Sequence, residues 1–228
     1  MPDFNGHFGA DVPPFAEAVQ WFLDKGVVSR EEFDKISARE KARAFTAARV
    51  YGADELQAVY DAVLTAIEKG GTLSDFLAAT EGIFRSPWHA ETVFRTNILS
   101  AYGAGHWEQA QELRDIQPYA RYSAVMDGRT RPDHAALHGL VYPLDHPFWL
   151  LYWPPWDYNC RCAAITLSQS EIEGAGLEVQ HSMGGDLPAP AKDFQSPAAG
   201  GRWQPDYAKY APELGAQVRQ AVEKPIYD

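Results

Sequence analysis

SPWHAETVFRTNILSAYGAG, residues 86–105, is the stretch from which the fold is read. Ser86 followed by Pro87 opens a helix. A serine hydroxyl accepts one of the unpaired amides of the first turn, and proline sits where no amide is needed. Behind this start, Val93, Phe94, Ile98, Ala101, Tyr102 and Gly105 recur on one face at helical spacing. Glu91 and Arg95 stand one turn apart and pair weakly. Pro118 bounds the segment, which is the longest predicted helix.

Shorter helices precede it. Pro13 and Pro14 lead into Phe15, Val19, Phe22 and Leu23, an amphipathic stripe stopped by Gly26. Ser29-Arg30-Glu31-Glu32 is a capping box, with Phe33 and Ile36 starting the apolar face behind it. A third helix begins near Asp54 and places Leu56, Val59, Tyr60, Val63 and Ile67 on one side, with Gly70 suited to a left-handed exit. Thr72 and Asp75 open a fourth.

After Pro118 the pattern changes. Residues 119–126 alternate as a strand before an Asp127-Gly128 turn, and residues 161–167 read as a second strand. Between them lie Gly139-Leu140-Val141-Tyr142-Pro143 and an aromatic loop over 148–158. Ser168 and Glu171 cap a further short helix. Residues 176–228 are rich in Gly and Pro, with one helix expected over 213–223. The expected class is α+β. A mostly helical region covers 1–85, a core of the long helix plus a small mixed domain covers 86–175, and an extended or loosely packed tail covers 176–228.

Composition narrows the function. The 228 residues include 46% hydrophobic and 13% aromatic side chains, enough for a filled core. Thirty-one acidic against 20 basic residues give a net charge of −11, which disfavours broad nucleic-acid coating and favours solubility. Residues 1–14 lack the basic and apolar regions of a secretory signal. The strongest apolar run, 148–153, is far too short for a bilayer, which needs about 20 residues. Cys160 and Cys162 are separated by one residue, a spacing that strains a mutual disulfide. No Walker A, Gly-x-Ser-x-Gly or His-Glu-x-x-His motif appears, so the commoner enzyme classes find no support.

Several motifs stand in a fixed order: Arg95-Thr96-Asn97, Ala101-Tyr102-Gly103-Ala104-Gly105, a strand over 119–122, Asp127-Gly128-Arg129-Thr130-Arg131, His134 to Gly139, Pro154-Pro155, and Asn159-Cys160-Arg161-Cys162. In that order they resemble the phage Mu protein F-like family of minor head, or head morphogenesis, proteins, over roughly residues 13–175. The resemblance implies a bacteriophage virion protein without enzymatic activity. It implies a minor capsid component at the head interior or portal vertex, present in the host cytoplasm during assembly. The implied partners are the portal protein and the major capsid or scaffold proteins, with packaged DNA met only indirectly and no membrane. The implied role is capsid assembly and DNA packaging or delivery. Many relatives are longer at the C-terminus, so a further domain is expected to be missing here. The motif residues it singles out are Arg95, Asn97, Tyr102, Asp127, Arg129, Arg131, His134, Gly139, Asn159, Cys160, Arg161 and Cys162, none of them catalytic.

Each cluster has a plainer reading beside the functional one. His134, His138, Cys160 and Cys162 are natural zinc ligands, and they make a metal-dependent hydrolase or nuclease the alternative function. The same thiols also read as small buried hydrophobes and the histidines as partners of backbone carbonyls, with no cofactor at all. Asp127 and Asp133 are expected to pair with Arg129 and Arg131 and lock a turn. Trp149, Trp153 and Trp156 suit either a partner-binding surface or the core of a small domain.

Overall fold

The computed structural model describes residues 15–35, 44–47, 49–184, 187–190 and 194. Their elements run α1 (Ala16–Leu23), β1 (Gly26–Val27), α2 (Arg30–Lys35), β2 (Ala44–Phe45), α3 (Ala53–Lys69), α4 (Leu73–Ala79), α5 (Pro87–Glu112), β3 (Tyr119–Ser123), α6 (Pro132–Ala136), β4 (Val141–Pro143), α7 (Phe148–Tyr152), β5 (Ala163–Leu167) and α8 (Gln169–Ala175). This is an α+β fold.

Local chemistry starts and stops these helices. Thr72 and Asp75 form a reciprocal capping box at α4, as Ser168 and Glu171 do at α8. Ser29 and Glu32 make the same exchange at α2. The Ser86 hydroxyl accepts from the His89 amide, and Pro87 occupies the first turn of α5. Gly70 ends α3 in the left-handed region at φ 69°. α5 ends at Glu112, before the predicted boundary at Pro118. Ile36 and the helix expected over 213–223 lie outside the described residues.

Two cores flank α5. The first is helical: Phe22 stacks on Tyr60 at 4.9 Å, Phe45 meets both edge-on, and the Tyr60 hydroxyl donates to the Phe22 carbonyl at 3.2 Å. The buried face of α3 is Leu56, Val59, Tyr60, Val63, Ala66 and Ile67. α5 adds Ala90, Phe94 and Ala101 to this core. The second core lies over an antiparallel sheet in the order β4-β3-β5. β3 pairs Tyr119 with Pro143 on one side and with Leu167 on the other. Alternation buries Ala120 and Tyr122 against the aromatic residues of α7 and the loop after it, and α5 contributes Ala110. Residues after α8 continue along this core: Val179 bridges to Val141, and the Pro188 carbonyl accepts from the Tyr152 hydroxyl at 2.7 Å.

Candidate functional site

The segment after β3, α6 itself and the segment after α7 meet at His134. Pro132 starts α6 and places His134 two residues later, facing inwards with 3% of its surface exposed. The run into β5 brings Cys160 and Cys162 to the same ring. Nδ1 of His134 lies 3.4 Å from Cys162 Sγ and 3.6 Å from Cys160 Sγ, and Tyr122 Oη is 3.5 Å away. Trp156 stacks on the imidazole at 4.1 Å and donates its Nε1–H to Tyr122 Oη at 2.6 Å. On the far side, Arg131 Nη2 is 2.7 Å from His134 Nε2, and Arg131 Nη1 is 2.8 Å from Asp157 Oδ2. A guanidinium only donates, so Nε2 accepts and the proton of the neutral ring lies on Nδ1, aimed at the sulfurs.

Both cysteines are free thiols. The hydrogen bond with Cys160, joined by those from His134 and Tyr122, holds the Cys162 thiol well below its ordinary range despite burial. The same bond, with burial, pushes Cys160 up, and burial foremost raises Tyr122. His138 stands apart. α6 ends at Ala136, so the chain has left the helix before His138 and the two histidines do not share a face. His138 Nδ1 instead accepts from the Ala124 amide at 3.1 Å. Among the described residues the metal-ligating cluster is His134, Cys160 and Cys162.

The expected pairing of carboxylates and arginines is rearranged. Asp127 takes both guanidinium nitrogens of Arg161, at 2.8 and 2.7 Å, a two-pronged contact with the residue between the cysteines. Arg161 and the Arg129 amide hold the Asp127 carboxyl far below the usual carboxylate range. Thr130 Oγ1 donates to the Val125 carbonyl and closes the turn. Arg129, 83% exposed, reaches Asp127 only at 3.8 Å, and Arg131 pairs with Asp157 rather than with Asp127 or Asp133. Asn159 adopts a left-handed backbone at φ 53°, a conformation asparagine tolerates, and this turns the chain so that Cys160 faces inwards. An Arg131→Ala variant therefore loses about 1 kcal/mol of stability, because Asp157 keeps its charge without its partner, while Arg129→Ala is within experimental error of the parent. Urea midpoints of the two variants measure the difference. Equal midpoints would mean that the loop is held without Arg131.

The family model described as Phage Mu protein F like protein matches residues 57–165, the segment that holds α5, β3, β4 and the whole cluster. Over 197 residues the chain is 34% identical to protein F of Escherichia phage Mu, provisionally named a capsid assembly protein, covering 76% of this chain and 45% of that one. The chain belongs to the Mu protein F-like family. The Mu-like prophage FluMu F protein of Haemophilus influenzae is 35% identical over 162 residues, 63% of this Mu F-like chain and 39% of the prophage protein. The chain thus spans less than half the length of these curated relatives. No solved structure matches it.

The remaining motif residues of this Mu F-like chain serve its packing. Gly139 has φ 88°, and its amide donates to the Tyr122 carbonyl at 2.8 Å. Asn97 donates to the Val93 carbonyl of its own helix, and Arg95 pairs with Glu91 at 2.7 Å on the surface. Tyr102 is 39% exposed and stacks on Phe15 at 5.8 Å. Trp149 and Trp153 are fully buried and Trp156 is 2% exposed, so the partner-surface reading of these three gives way to the core reading. Their rings are needed inside because the second core is short of aliphatic side chains. Tyr122, Asp157 and Gly103 were not singled out as site residues. Tyr122 was within reach of strand alternation, since it shares the inward face with Ala120. Asp157 gave no signal, because its partner Arg131 is distant in sequence.

Proposed function

We propose that this chain is a minor component of a tailed-phage head, seated near the portal vertex, where it assists head assembly and the packaging or delivery of DNA. The observation that carries this reading is the 34% identity over 197 residues with phage Mu protein F, provisionally named for capsid assembly. Its partners are the portal protein and the major capsid or scaffold protein, and its place is the virion, after assembly in the host cytoplasm. No helix among the described residues is long and apolar enough to cross a membrane, in keeping with a particle protein. The net charge of −11 favours protein partners over direct DNA coating.

The role is structural, not enzymatic. A hydrolytic metal centre needs a base beside the metal-bound water, free to take its proton. The nearby carboxylate, Asp157, is bound to Arg131, and His138 is engaged by the Ala124 amide. These engagements support an architectural use of the cluster. Mass spectrometry of separated heads and tails tests the assignment. The chain is expected with heads in few copies and in cross-links to the portal protein. Enrichment in tails alone contradicts it.

A further inference from the structure

We infer that His134, Cys160 and Cys162 bind a single zinc ion that fastens α6 to the segment leading into β5. The geometry is already close to that of a bound ion. A tetrahedral zinc with Zn–N of about 2.0 Å and Zn–S of about 2.3 Å places nitrogen and sulfur about 3.5 Å apart. The two Nδ1 to Sγ distances here are 3.4 and 3.6 Å. The three ligand atoms lie within 4.8 Å of one another. They are contributed by segments 26 and 28 residues apart, so their convergence is a product of the tertiary fold.

The donor set selects the metal. Two thiolates and an imidazole suit zinc and disfavour magnesium or calcium, which take oxygen ligands. Two thiolates also neutralise a divalent cation, so the buried site carries no net charge. Both sulfurs bind deprotonated, their protons going to solvent. The proton on Nδ1 moves to Nε2 as Arg131 Nη2 withdraws, and Nε2 then faces Asp157 Oδ2, 3.9 Å away in this structure. Arg131 keeps Asp157 through Nη1 at 2.8 Å. A carboxylate behind a ligating histidine orients the ring and strengthens it as a ligand. The Tyr122 hydroxyl, aligned by Trp156, is left to donate to a thiolate. On its other side the thiol pair backs onto a cleft of about 270 Å³ between Gly103, Pro154, Pro155 and Ala164.

The test uses the full chain, purified without a histidine tag. Elemental analysis is expected to find close to one zinc per chain. Cobalt added to metal-free protein is expected to give a thiolate charge-transfer absorption that falls by about half or disappears in Cys162→Ser and is unchanged in His138→Ala. Because the serine variant is liable to misfold, the parent protein is also melted with and without a strong chelator, and removal of the ion is expected to lower Tm. A parent chain that takes up neither zinc nor cobalt with its thiols reduced overturns the inference. So does uptake undiminished by Cys162→Ser, or lost in His138→Ala.

Discussion

Trp153→Ala lowers the stability of the protein by about 3–5 kcal/mol, a large share of what a domain of this size possesses. Trp153 is fully buried. Its ring meets Trp107 at 4.9 Å and Trp149 at 5.4 Å, and its Nε1–H donates to the Gly103 carbonyl at 2.7 Å. Alanine leaves a cavity walled by rigid rings that cannot collapse into it, and strips a partner from the Gly103 carbonyl. Trp88 provides the control: it is 70% exposed, and Trp88→Ala changes stability by about 0.5 kcal/mol or less. Urea unfolding followed by far-ultraviolet circular dichroism separates the two. A Trp153→Ala loss no greater than that of Trp88→Ala would mean that the ring is not part of the core.

The second large effect comes from adding a methyl group. A Cβ at Gly103 would run into the Pro154 carbonyl oxygen and approach Pro155 Cδ to 2.8 Å. One is backbone and the other a closed ring, so neither yields as a long side chain would. α5 cannot retreat either, because a Cβ at Gly105 would already lie 2.9 Å from the Ala18 amide nitrogen of α1. Gly103→Ala therefore costs at least about 1–3 kcal/mol, as overpacking does elsewhere. The same substitution at Gly174 of α8 meets nothing within 4 Å and gains up to about 1 kcal/mol from better helix propensity. Opposite shifts in Tm are expected. A Gly103→Ala protein as stable as the parent would show that helix and loop separate readily.

What could be read from the sequence was local. Ser86-Pro87, the Thr72–Asp75 and Ser168–Glu171 boxes, and Gly70 each act within a few residues of their own backbone, so spacing alone reveals them. The site was legible in its members more than in its wiring. His134, Cys160 and Cys162 were marked by residue type, and so was His138, which lies past the end of the helix that carries His134 and bonds the Ala124 amide instead. The ion pairs went astray for a related reason. Asp127 has two arginines close by in sequence yet binds Arg161, 34 residues on, because the β3–β5 ladder brings the strand ends together. The tryptophans were ambiguous because an exposed anchor and a buried ring have the same chemistry. Only the neighbours supplied by the tertiary fold decide between them.

α5 runs for 26 residues, about 39 Å, and gives Ala90, Phe94 and Ala101 to one core and Ala110 to the other. Neither core can dissolve without baring a flank of the helix that the other still holds. The amides in its middle turns therefore exchange their hydrogens for deuterium only in rare openings that disrupt both sides at once, and the two cores share one melting event.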